Sequence, residues 1–208
     1  NNTMKLVAVS QRVDVLADRR EHRDALDQNL VRFLLKCGFI AVPVPNAIMN
    51  NSKTNVSRQY FYTFLRNIKP RAFILSGGPN IGENVLRDKT ELEIINYAEK
   101  NKLPLVGICR GMQMMAYRAG GISIVPLTGH AGTHHEISGE IFGKVNSYHD
   151  FGISDCPNDY KVIARSNDNS IEAIKHCELP WEGWMWHPER EPNFNKRDLE
   201  RLRTIFDT

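Results

Sequence analysis

The chain has 208 residues, 25% of them charged and 41% hydrophobic, a composition typical of a compact soluble protein and one that excludes a disordered or fibrous chain. Its net charge of +3 and pI near 8.7 are weakly basic, so we expect no nucleic-acid partner. It shows no apolar run of about 18 residues and no secretory leader, so we expect a cytoplasmic protein without a membrane partner.

We expect a single domain over residues 1–208, in which residues 1–3 precede a plausible natural start at Met4 and have no function. The four cysteines stand at positions 37, 109, 156 and 177. They lack the close pairing of zinc sites and the density of disulfide scaffolds. We therefore expect free thiols.

Short β-branched runs alternate with segments of helical period, which predicts an α/β three-layer sandwich with a mostly parallel central sheet flanked by helices. Strands are expected over residues 5–10, 39–44, 72–75 and 103–108, and later near 161–164, 171–174 and 184–186. Helices are expected over residues 24–36, 57–68 and 196–206. Thr90 and Glu93 have the spacing of a capping box. Residues 120–158 are interrupted by Gly, Pro, Asn and His, which favours loops.

The stretch from Asp18 to Asp24 is rich in arginine interleaved with acidic residues. An ion-paired helix face is one interpretation of it, and an anion-binding site is the other. In the second interpretation Arg19, Arg20 and Arg23 would bind a phosphorylated ligand.

An apolar strand over residues 104–108 runs directly into Cys109, which is flanked two positions away by Gly107 and Gly111 and followed by a helical pattern. This is the form of a nucleophile elbow, in which small residues on either side let the turn close. A thiol at a helix N-terminus is also favoured as thiolate by the helix dipole. The alternative is a buried cysteine with no reactivity.

A second candidate element is His187-Pro188-Glu189, which follows an apolar strand. The imidazole can take the thiol proton and deliver a proton to a leaving amine, while the carboxylate fixes its tautomer. A third element is Gly77-Gly78, also at the end of a predicted strand. Such glycines can present backbone N–H groups to an oxyanion, although an ordinary tight turn has the same sequence.

These motifs together resemble the class I glutamine amidotransferase superfamily, whose members share a Gly-x-Cys-x-Gly turn and a His-Pro-Glu triad end. The resemblance implies a flavodoxin-like fold, Cys109, His187 and Glu189 as the triad, and an oxyanion hole formed by the N–H groups of Gly78 and Arg110. The pair Arg87-Asp88 also resembles a family motif. The resemblance further implies a set of substrate-binding residues: Gln113, Asn146, Ser147, Tyr148 and His149.

Within the superfamily, residues 109–113 and 145–149 resemble the free-standing γ-glutamyl hydrolase branch, which implies hydrolysis of a γ-glutamyl amide without a cofactor, a metal or an obligate protein partner. Overall likeness favours γ-glutamyl-CDP-amidate, a nucleotide-linked small molecule of capsular phosphoramidate synthesis, as the substrate. The branch commonly has an acidic residue after its glycine pair, where this chain has Pro79-Asn80, and a Gln-Asp that this chain lacks.

Other functions stay open at this level. The substrate could be a γ-glutamyl-γ-aminobutyrate-type amide, the chain could be a glutaminase subunit that supplies ammonia to a separate synthetase, or it could be a binding module without catalysis. His130, His134 and His135 could be metal ligands. Their glycine-rich surroundings favour instead a substrate-lining or exposed position.

Overall fold

A computed structural model describes residues 3–50 and 53–207, so the expectation for residues 1–3 lies outside the described residues except at Thr3. The strands are β1 Lys5–Val9, β2 Arg12–Leu16, β3 Glu21–Ala25, β4 Phe39–Pro43, β5 Ala72–Leu75, β6 Leu105–Ile108, β7 Ile124–Pro126, β8 Thr133–Gly139, β9 Gly143–Ser147, β10 Phe151–Ile153, β11 Tyr160–Ser166, β12 Ile171–His176 and β13 Trp181–Trp184. The helices are α1 Gln28–Cys37, α2 Thr54–Ile68, α3 Val85–Lys100, α4 Arg110–Ala119 and α5 Lys196–Phe206, with short 3-10 helices at Asn46–Met49 and Pro188–Arg190.

Within the described residues, the central sheet has nine strands in the order β4-β1-β5-β6-β13-β12-β11-β8-β9. Strands β4, β1, β5, β6 and β13 are parallel to one another. From β13 to β9 the pairing is antiparallel. The predicted sandwich around a parallel sheet is therefore confirmed, and an antiparallel extension is added to it.

Alternation along the strands divides the interior into two cores. Val7 and Val9 of β1 pack in one core with α1 and α5, whereas Ala8 packs in the other core with α2, α3 and α4. Because successive strand side chains point to opposite faces, the sheet is covered by helices on both sides. Among the described residues, no helix is long and apolar enough to cross a bilayer.

The interpretation of the Arg-rich stretch as an ion-paired helix face is wrong. Strands β2 and β3 form an antiparallel hairpin that places Arg23 opposite Asp14. Helix α1 begins only at Gln28, because the Asp27 carboxylate accepts the N–H of Asn29 and caps the helix there. The expected ion pairing does occur, since Arg23 contacts Glu21 at 2.5 Å.

Three further expectations need correction. Thr90 does not begin a helix, because Asn84 caps α3 and the Thr90 hydroxyl donates to the Leu86 carbonyl inside it. Residues 120–158 contain β7 to β10, which the sequence did not predict because interspersed Gly, Pro, Asn and His residues obscure the strand alternation. The strand expected at 184–186 ends at Trp184.

Candidate active site

Cys109 occupies the sharp turn between β6 and α4. Its backbone has φ 51° and ψ −105°, and its N–H donates to the Trp184 carbonyl at 2.7 Å. A Cβ on Gly107 would lie 2.5 Å from the carbonyl carbon of Gly111, and a Cβ on Gly111 would overlap the Leu75 carbonyl oxygen. Only glycine fits at these two positions, so the flanking pattern seen in the sequence follows from close backbone packing.

His187 and Glu189 follow the end of β13, the neighbour of β6 in the sheet. The Nδ1 atom of His187 lies 2.7 Å from the Oε1 atom of Glu189, and both side chains are buried. Burial lowers the pKa of His187, but hydrogen bonds with Cys109 and Glu189 outweigh this effect and raise the pKa to about 9. The imidazole therefore lies between the thiol and the carboxylate, the order that proton transfer requires.

Asn146 holds the backbone of His187 in place. Its amide oxygen accepts the His187 N–H at 2.9 Å, and its amide nitrogen donates to the His187 carbonyl and to Glu191, each at 2.8 Å. Asn146 is 1% exposed, so these bonds are shielded from water. Its predicted contact with substrate stays a prediction, since both ends of the amide are already engaged.

The Gly77-Gly78 turn is braced by Arg87. One guanidinium nitrogen of Arg87 donates to the carbonyls of Ser76 and Gly77, each at 2.8 Å. Because a trans peptide directs its N–H opposite to its C=O, this contact points the Gly78 N–H away from Arg87. A Cβ on Gly77 would lie 2.5 Å from Cε1 of His187, so the turn packs directly against the imidazole.

Arg87 belongs to a buried arginine–glutamate network, which consists of Arg87, Asp88, Glu91 and Arg110. Glu91 accepts from Ser10 at 2.7 Å, faces Arg87 at 3.4 Å, and pairs with Arg110, which also pairs with Asp88. Burial lowers the pKa of Arg87 to about 10 and of Arg110 to about 9, which leaves both charged at neutral pH. The network thus fixes both turns that were predicted to supply oxyanion donors.

Tyr148 packs against His187 and Arg190. Its ring stands edge-on to His187 with centroids 5.9 Å apart, and the Arg190 guanidinium lies 4.5 Å from the ring centre. Its predecessor Ser147 is fully buried, and its hydroxyl has no hydrogen-bond partner among residues 3–50 and 53–207. Tyr148 therefore contacts His187, whereas the substrate-binding role of both residues stays a prediction.

Gln113 and His149 share one acceptor. The Gln113 side-chain amide nitrogen and the His149 Nδ1 atom each lie 3.0 Å from the Phe151 carbonyl oxygen. Both side chains are buried. This contact ties the first turn of α4 to the end of the 146–149 segment, so the two predicted substrate-binding elements are held together.

A cavity of about 450 Å³ opens beside His187 and the glycine turn. Its charged lining comes from Arg12, Asp14, Asp27, Glu189 and Arg190. The predicted anion site at Arg19, Arg20 and Arg23 does not line this cavity. Arg12 and Arg190 were not identified from the sequence, because only the folding of the β2–β3 hairpin and of the 188–190 turn brings them together.

The sequence matches the family model of class-I glutamine amidotransferases over residues 19–205. The chain belongs to this family. It is also 38% identical over 142 residues to a γ-glutamyl-CDP-amidate hydrolase of Campylobacter jejuni, a match that covers 65% of this chain and 70% of that enzyme. The predicted reaction class, hydrolysis of a γ-glutamyl amide bond, is confirmed by this family and this relative.

A carbamoyl phosphate synthase small chain from Syntrophotalea carbinolica is 30% identical over 137 residues, and the match spans 60% of this chain but only 34% of that one. Among solved structures, a protein from Thermoplasma acidophilum assigned as a GMP synthase subunit superposes with a TM-score of 0.71 at 21% identity, covering 100% of this chain and 94% of that chain. This last likeness concerns the fold. The relatives thus include both a hydrolase and components of synthases.

Proposed function

We propose that this chain hydrolyses its γ-glutamyl amide through a γ-glutamyl thioester on Cys109. The observation that carries the proposal is the buried His187, which contacts the Cys109 thiol and lies 2.7 Å from Glu189. Because Glu189 occupies Nδ1, the Nε2 atom is left for the thiol. A raised His187 pKa favours an imidazolium beside a thiolate, which is the reactive form of such a pair.

In the proposed mechanism, the Cys109 sulfur attacks the γ-carbonyl carbon, and the N–H groups of Gly78 and Arg110 bind the resulting oxyanion. Each such donor is typically worth about 3 to 4 kcal/mol. His187 then gives its proton to the leaving nitrogen as the C–N bond breaks. A water molecule, deprotonated by His187, attacks the thioester, so that glutamate leaves and the thiol is restored.

We infer that the preferred leaving group carries a diphosphate, as in γ-glutamyl-CDP-amidate. Two observations support this assignment. The similar Campylobacter jejuni enzyme acts on that compound by name. The cavity beside His187 also presents Arg12 and Arg190, and guanidinium groups recognise phosphates by paired hydrogen bonds.

The experiment compares kcat/KM for γ-glutamyl-CDP-amidate, γ-glutamyl-γ-aminobutyrate and glutamine. We expect the nucleotide substrate to be favoured, and Arg12→Gln to reduce that preference. Arg19→Gln is the matched control, because Arg19 lies on the same hairpin outside the cavity. Equal kcat/KM for all three substrates would refute the diphosphate assignment while leaving the thioester mechanism intact.

The similarity to a carbamoyl phosphate synthase small chain favours a second candidate, a glutaminase subunit that depends on a synthetase. The two functions differ in what the isolated chain can do. We expect strong turnover of a γ-glutamyl amide without any partner protein. Glutamine turnover that begins only when a synthetase is added would support the subunit instead.

A further inference from the structure

Four buried or partly buried side chains converge in the antiparallel part of the sheet. We call them the histidine cluster: His130, His135, His149 and Glu172. His130 precedes β8, His135 lies on β8, His149 follows β9 and Glu172 lies on β12. The rings of His130 and His149 have centroids 4.8 Å apart. Side chains from separate strands therefore meet at one point.

Glu172 is the centre of the histidine cluster and is fully buried. Within the described chain, neither of its carboxylate oxygens makes a hydrogen bond of acceptable geometry. The same holds for Nδ1 of His130 and Nε2 of His149, whose residues are each 3% exposed. The nearest nitrogen is Nε2 of His135, which lies 3.1 Å from Oε1 but is poorly aligned. A buried carboxylate satisfied only by such contacts is unfavourable, so this arrangement favours a positively charged ligand.

The distances from Glu172 to His130 and His149 match those around a metal ion better than those of hydrogen bonds. Oε1 of Glu172 lies 3.5 Å from Nδ1 of His130 and 3.6 Å from Nε2 of His149. A tetrahedral zinc site with bonds of about 2.0 to 2.1 Å separates neighbouring ligand atoms by about 3.3 to 3.4 Å. One candidate ligand atom from each of these three residues lies within 4.8 Å of the others.

In His130 and in His149, the ring nitrogen that points away from Glu172 already has a hydrogen-bond partner. Nε2 of His130 lies 2.8 Å from a carboxylate oxygen of Asp168, and Nδ1 of His149 lies 3.0 Å from the Phe151 carbonyl oxygen. A carboxylate or a carbonyl on the far nitrogen fixes the tautomer and aims the near nitrogen at a metal. The two unpartnered nitrogens therefore face Glu172 with the orientation that ligands need.

We propose that His130, His149 and Glu172 bind a Zn²⁺ ion. Two imidazoles and one carboxylate form a ligand set typical of zinc, whereas Mg²⁺ and Ca²⁺ prefer oxygen ligands throughout. His135 lies 3.1 Å from Oε1 of Glu172 and closes the site from the β8 side. The proposal revises the expectation from the sequence that no metal is bound.

The site has a structural consequence for catalysis. His149 shares the Phe151 carbonyl with Gln113, so a metal on His149 would fix the segment that carries Ser147 and Tyr148. The ion would act by ordering this segment, and no step of the thioester mechanism passes through it.

The test measures metal binding by the complete chain directly, and enzymatic activity is not part of the measurement. Chelator-treated protein is titrated with Zn²⁺ and, separately, with Co²⁺. We expect one equivalent of zinc by elemental analysis and the intense visible absorption of tetrahedral Co²⁺. His130→Gln should abolish both signals. His134→Gln is the matched control. His134 precedes His135 on β8, so its side chain points to the opposite face of the strand, away from Glu172, and it is half exposed.

A second variant distinguishes a loss of zinc binding from misfolding. Asp168 is 53% exposed, so Asp168→Asn should fold while weakening zinc binding by about 10- to 100-fold. Circular dichroism establishes that each protein is folded. Folded wild-type protein that binds no Zn²⁺ and shows no tetrahedral Co²⁺ absorption would overturn the proposal. Equal binding by wild type and His130→Gln would also overturn it.

Discussion

The arginine–glutamate network and the histidine cluster are both buried and charged, yet they differ in how their carboxylates are satisfied. Both oxygens of Glu91 receive donors from the protein itself, namely Ser10, Arg87 and Arg110. Neither oxygen of Glu172 receives a well-aligned donor from the described chain. The first region is complete and can position catalytic turns, whereas the second has the properties of a cation site.

Apart from replacement of Cys109 itself, the largest effect should come from Glu189, the carboxylate of the proposed triad. We expect Glu189→Gln to lower kcat by roughly 10³- to 10⁴-fold, because a neutral amide no longer fixes the productive tautomer of His187. The His187 pKa is raised to about 9, so wild-type kcat/KM should fall as pH rises through about 9 and the imidazolium loses its proton. Without the Glu189 charge, this alkaline limb should move to lower pH.

The measurement is a pH profile of kcat/KM for both proteins. Glu191→Gln serves as the control, because Glu191 accepts from Asn146, whereas Glu189 is the carboxylate at Nδ1 of His187. Its alkaline limb should stay near that of the wild type. An unchanged limb in Glu189→Gln would show that the carboxylate does not set the His187 pKa.

Removing the shared carboxylate of the arginine–glutamate network should cost stability. Glu91→Gln leaves two buried guanidinium groups with a weaker partner, so we expect the free energy of unfolding to fall by about 3 to 5 kcal/mol. Urea denaturation measures this change. Glu93→Gln is the comparison on the same helix. Because Glu93 pairs with the half-exposed Arg58, its replacement should lower the free energy of unfolding by less. A loss below that of Glu93→Gln would refute the proposed role of the network.

Arg87 tests whether the network acts on catalysis through the glycine turn. Arg87→Met removes the donors to Ser76 and Gly77, so the Gly78 N–H should lose its alignment. Misplacing one oxyanion donor should lower kcat by about 10²-fold with little change in KM. Arg87→Lys should recover part of the loss. A rise in KM at constant kcat would show that Arg87 acts on substrate binding instead.

The smallest effect should come from the histidine cluster without metal. Glu172→Gln removes a buried charge whose nearest partner is the poorly aligned His135, at 3.1 Å, so we expect the metal-free protein to lose less stability than Glu91→Gln does. Zinc should stabilise the wild type against urea and leave Glu172→Gln unaffected. If metal-free Glu172→Gln lost as much stability as Glu91→Gln, the contrast between the two regions would disappear.

The sequence predicted the strand-to-helix turn at Cys109 well, because its determinants are local. Gly107, Cys109 and Gly111 lie within one strand-to-helix connection, and His187 and Glu189 lie two residues apart. The α/β sandwich was also predictable from alternating apolar patterns. These features depend on neighbours along the chain, which a single sequence displays directly.

The features that the sequence missed depend on tertiary structure. Arg12 reaches the cavity only because β2 and β3 form a hairpin in place of the expected helix. His149 and Glu172 meet only because β9, β8, β11 and β12 are adjacent in the sheet. No spacing in the sequence relates His149 to Glu172. The positions of His130 and His135 along the chain likewise give no sign that these side chains meet in the fold.

The central claim is that Cys109 is the nucleophile of a γ-glutamyl amide hydrolase. Steady-state turnover of γ-glutamyl-CDP-amidate by wild type and by folded Cys109→Ala tests it most directly, with Cys156→Ala as the control thiol. We predict that Cys109→Ala lowers kcat/KM by roughly 10⁴-fold or more while Cys156→Ala retains wild-type turnover. Normal hydrolysis by Cys109→Ala would contradict the account.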